Sequence, residues 1–137
     1  MSKERNVLFV ADLHAPWILD GYLDWCKEQE EKYKCNRVIF SGDILDGGSW
    51  NYHEQNPDGM GIKDELYAAK KQLKQVYKLF PKAISLMGNH DLLISRKAKT
   101  GGLSQEFIKP FKQVVDAPKE WRFVHEYRID NVLYKHG

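Results

Sequence analysis

The sequence predicts an α/β domain with a βαβαβ core, and three observations lead to that reading. Short apolar runs at Val7–Val10, at Val38-Ile39-Phe40 and over residues 83–87 suit strands buried on both faces of a parallel sheet. Stretches with helical periodicity separate these runs. Each run leads directly into a polar motif: Asp12-Leu13-His14, Gly42-Asp43-Ile44-Leu45-Asp46 and Gly88-Asn89-His90-Asp91. Ligands of open α/β sheets bind just outside the carboxyl ends of the strands, so the three motifs are expected to converge on one rim.

The elements follow in order. Leu19, Tyr22, Leu23 and Cys26 recur at helical spacing ahead of a charged stretch, which predicts a crossover helix over residues 19–33. Residues 47–61 carry Gly47, Gly48, Pro57, Gly59 and Gly61 with little periodicity, and a loop of that length is usually functional or mobile. Ile62, Leu66, Ala69, Leu73, Val76 and Phe80 trace a clean helical stripe that stops at Pro81. Lys70, Lys71, Lys74 and Lys78 lie off the stripe and read as a solvated face rather than a nucleic-acid track. Strand and helix then alternate as right-handed βαβ units require. Beyond Asp91 a short helix is expected over residues 92–97, a break at Thr100-Gly101-Gly102, and a second helical stretch over residues 103–111 disrupted near its end by Pro110. Runs at 123–129 and 132–135 flank Asp130-Asn131, the signature of a β-hairpin.

A chain of 137 residues supports one domain with a real core, taken here as residues 1–137. The net charge of +2 makes no electrostatic case for a dedicated nucleic-acid binder, while leaving a nucleic-acid substrate open. Cys26 and Cys35 fit neither a metal clip nor a redox pair and read as reduced thiols. No apolar run has the length of a transmembrane helix, and residues 1–6 show no signal-peptide pattern, so no membrane association and a cytoplasmic location are expected.

The three motifs, with His136 as a fourth candidate, resemble the first four signature motifs of the calcineurin-like metallophosphoesterases. That resemblance spans residues 7–137 and implies hydrolysis of phosphate esters by hydroxide formed at two divalent ions. By position, Asp12 and His14 resemble ligands of the first metal, Asp43 the bridging carboxylate, and Asn89 and His136 ligands of the second. His90 resembles the residue that contacts the substrate phosphate and protonates the leaving oxygen, with Asp46 expected to hydrogen-bond to it and fix its tautomer. Asp91 stands where many relatives carry Glu and is expected only to support the ligands. A mixed His/Asp/Asn set suits Mn²⁺ first, with Fe, Zn²⁺ or Mg²⁺ as alternatives. Each residue also has a plainer reading. Asp12 and Asp43 can cap the helices that follow, Gly42 and Gly88 can be turn glycines, Asn89-His90-Asp91 can be a polar turn, and His136 can be an exposed terminal residue. His53 and His125 are read as surface or structural. All the plainer readings must hold together to remove the site.

The spacing looks most like the small enzymes of phages and prophages. The phosphoprotein phosphatase branch carries an arginine directly after the second Asp of its GDxxD run, and here Gly47-Gly48 follow Asp46. Arg96 and Lys97 could supply a substitute charge, in which case Arg96→Ala should raise the Michaelis constant for a diester. The family's fifth motif, Gly-His-x-His, is not found before Gly137, so either a truncated product or an N-terminal portion of a longer enzyme, with an incomplete second sheet, is expected. The leading function is a phosphodiesterase or nuclease. The alternatives are a phosphomonoesterase acting on phosphoprotein or metabolite, and an inactive metal-binding fragment. Oligomeric state is left open.

Overall fold

A computed structural model describes residues 5–137. The chain runs β1 (Val7–Val10), α1 (Tyr22–Lys32), β2 (Arg37–Phe40), α2 (Ile62–Leu79), β3 (Ala83–Leu86), α3 (Leu93–Thr100), α4 (Phe111–Val114), β4 (Trp121–Val124), β5 (Glu126–Ile129) and β6 (Val132–Lys135). Strands β1 to β4 form one sheet in chain order, with every neighbouring pair parallel. Strands β5 and β6 form a separate antiparallel hairpin.

Alternation along the strands sends side chains into two cores. Phe40 and Trp121 face the larger one, to which every helix contributes: Cys26 from α1, Leu73 and Val76 from α2, Leu93 from α3 and Phe111 from α4. Ile39 and Leu86 face the opposite side, where Ile129, Tyr127 and Tyr134 of the hairpin cover them. The helices therefore shield one face of the main sheet and the hairpin shields the other. Among the described residues, no helix is long and apolar enough to cross a membrane.

Trp121 anchors the larger core. It is fully buried, stands 4.7 Å from the Phe40 ring and 5.0 Å from Tyr77, and donates its indole N–H to the Phe80 carbonyl at 2.7 Å. Trp121→Phe keeps an aromatic ring but orphans that buried carbonyl and leaves a void. A loss of about 2 kcal/mol is expected, read from the urea midpoint.

Three sequence expectations are corrected. Helix α1 begins at Tyr22 rather than near residue 19, because Gly21 sits at φ +81° and breaks the helical backbone; Leu19 is consequently exposed. Residues 103–111 do not form one helix. They hold a single 3₁₀ turn at Gln105–Phe107, and Pro110 stands before α4 rather than disrupting a helix, since proline at this point is extended at φ −53°, ψ 145°. The 123–129 run does not act as one hairpin strand either. It divides at His125: β4 joins the main sheet beside β3, and β5 turns away to pair with β6. The hairpin turn itself is as expected, with Asp130 and Asn131 both at positive φ. The off-stripe lysines of α2 are solvated at Lys71, Lys74 and Lys78, while Lys70 pairs with Asp116 at 2.9 Å.

Candidate metal centre

The site forms because the loops after β1, β2 and β3 are laced together beyond the ends of their strands. His14 donates its backbone N–H to the Asp43 carbonyl at 2.8 Å, Ala15 to that of Ile44 at 2.8 Å, and Asp46 to that of Ala15 at 3.0 Å. Leu13 and Leu45, buried between the polar residues, pin both loops into the core. His14 and Asp43 take left-handed backbone angles, at φ 51° and 52°. Such conformations cost on the order of 1 kcal/mol each and persist where the surroundings impose them, often at functional sites.

Two glycines let the second and third loops mesh. Gly42 is at φ +99°, and a Cβ there would stand 2.7 Å from the Gly88 nitrogen. A Cβ on Gly88 would stand 2.0 Å from Asp43 Oδ1 and 2.4 Å from its nitrogen. No side chain fits at that contact.

Asp43 lies at the centre and is only 3% exposed. Its Oδ1 accepts the His90 backbone N–H at 2.8 Å, while Oδ2 stands 3.3 Å from His136 Nε2 and 3.9 Å from His14 Nε2. One carboxylate oxygen thus stands within 4 Å of two imidazole nitrogens. Asp12 flanks the same space, with Oδ2 3.6 Å from His14 Nε2 and Oδ1 3.9 Å from His136 Nδ1. The Ser41 hydroxyl donates to Asp12 Oδ1 at 2.6 Å and holds the carboxylate in place.

The three imidazoles share one logic. His136 Nδ1 faces the Ser41 carbonyl at 2.6 Å, His90 Nδ1 faces the Asp46 carbonyl, and His14 Nδ1 faces Asp46 Oδ1 at 3.1 Å. A carbonyl or carboxylate only accepts, so each Nδ1 must carry its proton and Nε2 is left for other work. Anchoring one ring nitrogen so that the other can bind a cation is the usual arrangement around metal-ligating histidines. His136 Nε2 also meets Asn89 Oδ1 at 3.1 Å, so the amide oxygen, the carboxylate and the imidazole nitrogen converge on one point. A proton or a metal ion on Nε2 satisfies that convergence. Burial alone would lower the His136 pKa, but the Ser41 carbonyl and the Asp43 and Asp12 carboxylates outweigh it and hold the value above the ordinary one.

All seven expected site residues therefore reach one rim: Asp12, His14, Asp43, Asp46, Asn89, His90 and His136. One contact differs from expectation. Asp46 meets His90 through its backbone carbonyl, whereas its carboxylate turns to His14. The two rings it touches pack edge to face with centroids 4.7 Å apart. His53 and His125 are exposed residues outside this cluster.

Asp91 plays a supporting part. It is 3% exposed and accepts the backbone N–H of Leu45 at 3.2 Å and of Gly88 at 3.1 Å, tying the second loop to the third. Burial pushes its carboxyl up to about 7, against the pull of those two N–H donors. Asp91→Asn offers one acceptor where two donors converge, so a loss of about 1–3 kcal/mol in chemical denaturation is expected.

The donor set fits divalent cations. Ligand atoms of Asp12, His14 and Asp43 lie within 4.8 Å of one another, as do those of His14, Asp46 and His90. Asn89 and His136 meet each other and the same Asp43 carboxylate. Mixed nitrogen and oxygen donors of this kind suit a transition ion better than an all-oxygen Ca²⁺ cage. Two residues without a sequence signal complete the frame. Ser41 contributes both its carbonyl and its hydroxyl, and the buried carboxylate of Glu65 on α2 accepts the Ser49 N–H at 2.9 Å, fixing the loop beyond Asp46. The only hint of Ser41 is its place between a strand end and Gly42; Glu65 looks like any acidic residue in a first helical turn.

A parallel sheet whose strand ends gather carboxylates around histidines held through Nδ1 forms a rim suited to holding metal ions. A family model, calcineurin-like phosphoesterase, matches residues 5–137, and the chain belongs to that family. No curated protein matches the chain.

Proposed function

We propose that the protein is a metal-dependent phosphodiesterase of nuclease type, working with two divalent ions, Mn²⁺ first among them. The observation that carries this reading is Asp43 Oδ2, placed between His14 Nε2 and His136 Nε2. Asp12 and His14 would hold one ion, Asn89 and His136 the other, with Asp43 shared. When bound, such ions lower the pKa of a water and offset charge on phosphoryl oxygens.

The protein's own groups do the rest. Water's oxygen loses a proton to solvent and forms the new bond to phosphorus, the ester P–O bond breaks, and the departing oxygen needs a proton. His90 supplies it from Nε2, because Nδ1 is committed to the Asp46 carbonyl. The neutral imidazole then regains a proton from solvent. A diester carries one negative charge and a monoester nearly two. Gly47 and Gly48 follow Asp46 where an arginine would help to hold the second charge, which favours the diester. The long α2 between the second and third motifs supports grouping the chain with the phage and prophage enzymes.

Bis-p-nitrophenyl phosphate should be hydrolysed at least tenfold faster than the monoester; a faster monoester would overturn the substrate assignment. On an oligonucleotide diester, whose alkoxide needs the proton in order to leave, His90→Ala should lower turnover by about 10²–10⁴-fold while the metal content stays as in the parent. Loss of metal together with turnover would remove His90 from its role.

A further inference from the structure

The face of α3 beside the site carries an arrangement that the hydrolytic chemistry does not use. Tyr52, from the 47–61 loop, is 52% exposed. Its ring lies along α3, with the Arg96 guanidinium 5.2 Å and Lys97 Nζ 5.1 Å from the ring centroid, and its hydroxyl 3.4 Å from Thr100 Oγ1. The Arg96 side chain therefore packs on Tyr52. No acidic residue occurs between Asp91 and Glu106, a stretch that also holds Lys99. Cations beside a half-open aromatic ring are what a single nucleic-acid strand requires: a π-face for a base and positive charge for its phosphates.

The position suits a flanking nucleotide. The Leu93 N–H bonds the His90 carbonyl at 3.3 Å, so α3 starts from the turn that carries the proposed acid. At ~1.5 Å of rise per residue, Arg96 and Lys97 lie roughly 4.5–6 Å along the helix from Leu93, within reach of a nucleotide that flanks the scissile phosphate. The loop that presents Tyr52 is tied near its start to α2, where the Glu65 carboxylate accepts the Ser49 N–H.

We propose that Tyr52, Arg96 and Lys97 form a subsite for single-stranded nucleic acid beside the scissile phosphate. The Tyr52 ring stacks on a base and the two cations take the neighbouring phosphates. The subsite rests on the diesterase reading for its biological sense, but its binding is separable from turnover.

The test is fluorescence anisotropy of a labelled twelve-residue oligothymidylate with the full chain loaded with Mn²⁺, on a His90→Ala background that suppresses cleavage. Tyr52→Ala should weaken binding about tenfold or more, and Tyr52→Phe should restore it to within threefold, since stacking needs only the ring. Arg96→Ala with Lys97→Ala should lower the slope of log affinity against log salt by roughly 1.4, about 0.7 for each lost phosphate contact to a single strand. Equal binding by the Tyr52→Ala protein would overturn the subsite. So would equal binding of an abasic strand or equal competition by an acidic peptide, because charge alone would then explain the affinity. Unchanged melting temperatures of the variants exclude misfolding as the cause. The two readings fail separately. If the parent hydrolyses the small diester but Tyr52→Ala binds the strand normally, the subsite is wrong; if the parent hydrolyses no diester yet Tyr52→Ala loses the strand, the subsite stands and the diesterase reading falls.

Discussion

Asp43→Asn is expected to lower diester turnover by roughly a thousandfold and to leave the protein unable to retain a pair of divalent ions. The substitution is nearly isosteric. The amide oxygen can still accept the His90 N–H that Oδ1 now accepts at 2.8 Å. What disappears is the negative charge on Oδ2, the oxygen lying 3.3 Å from His136 Nε2 and 3.9 Å from His14 Nε2. Two dications held close together repel strongly, and a shared anion is the simplest way to offset that repulsion. An amide NH₂ in its place points a donor at the space where a cation would sit. Elemental analysis after desalting should find one ion or fewer per chain, against two in the parent, with a melting temperature within a few degrees. Retention of both ions by the Asp43→Asn protein would show that some other group bridges them.

The second large effect is steric. Gly88→Ala puts a Cβ 2.0 Å from Asp43 Oδ1 and 2.4 Å from the Asp43 nitrogen, and backbone cannot swing aside as a flexible side chain can. The loops after β2 and β3 must part, which breaks the bonds from the His90 N–H to Asp43 and from the Leu45 N–H to Asp91. Overpacking at such a contact costs about 3 kcal/mol. For a domain of this size that is about 10 °C in melting temperature, with turnover lost alongside. Gly61→Ala is the control. Gly61, the N-cap of α2, stands at φ −70° with nothing within 4 Å of an added Cβ, so its substitution should cost no more than about 1 kcal/mol, the preference of an N-cap for glycine over alanine. If Gly88→Ala melts with the parent, the close approach of the two loops is wrong.

How much of this was legible in the sequence varied with the range of the interaction that decides each element. The strands β1 to β3 and helix α2 announce themselves, because continuous apolar runs and a 3.6-residue stripe are local patterns that burial then rewards. So do the polar motifs, since a ligand set must follow a strand end to reach the rim. The fate of residues 121–124 is not local. An aromatic and β-branched run fits either sheet, and the choice falls to the main sheet because Trp121 finds Phe40, Tyr77 and the Phe80 carbonyl there. The direction of the Asp46 carboxylate was equally hidden, as its partner His14 lies 32 residues away. Ser41 acts through its carbonyl, a group every residue has, and the Tyr52 cluster depends on a loop without periodicity settling on α3. Sequence pattern identifies which residues can act; the packing of distant loops decides which atom of each one does.

The most direct test is to strip the purified chain of metal with EDTA and follow bis-p-nitrophenyl phosphate hydrolysis as Mn²⁺ is added back. Turnover should be absent without metal and rise to saturation as two equivalents bind. Hydrolysis that persists undiminished in EDTA, or none at any concentration of Mn²⁺, Fe or Zn²⁺, would contradict a metal-dependent phosphodiesterase built on Asp43.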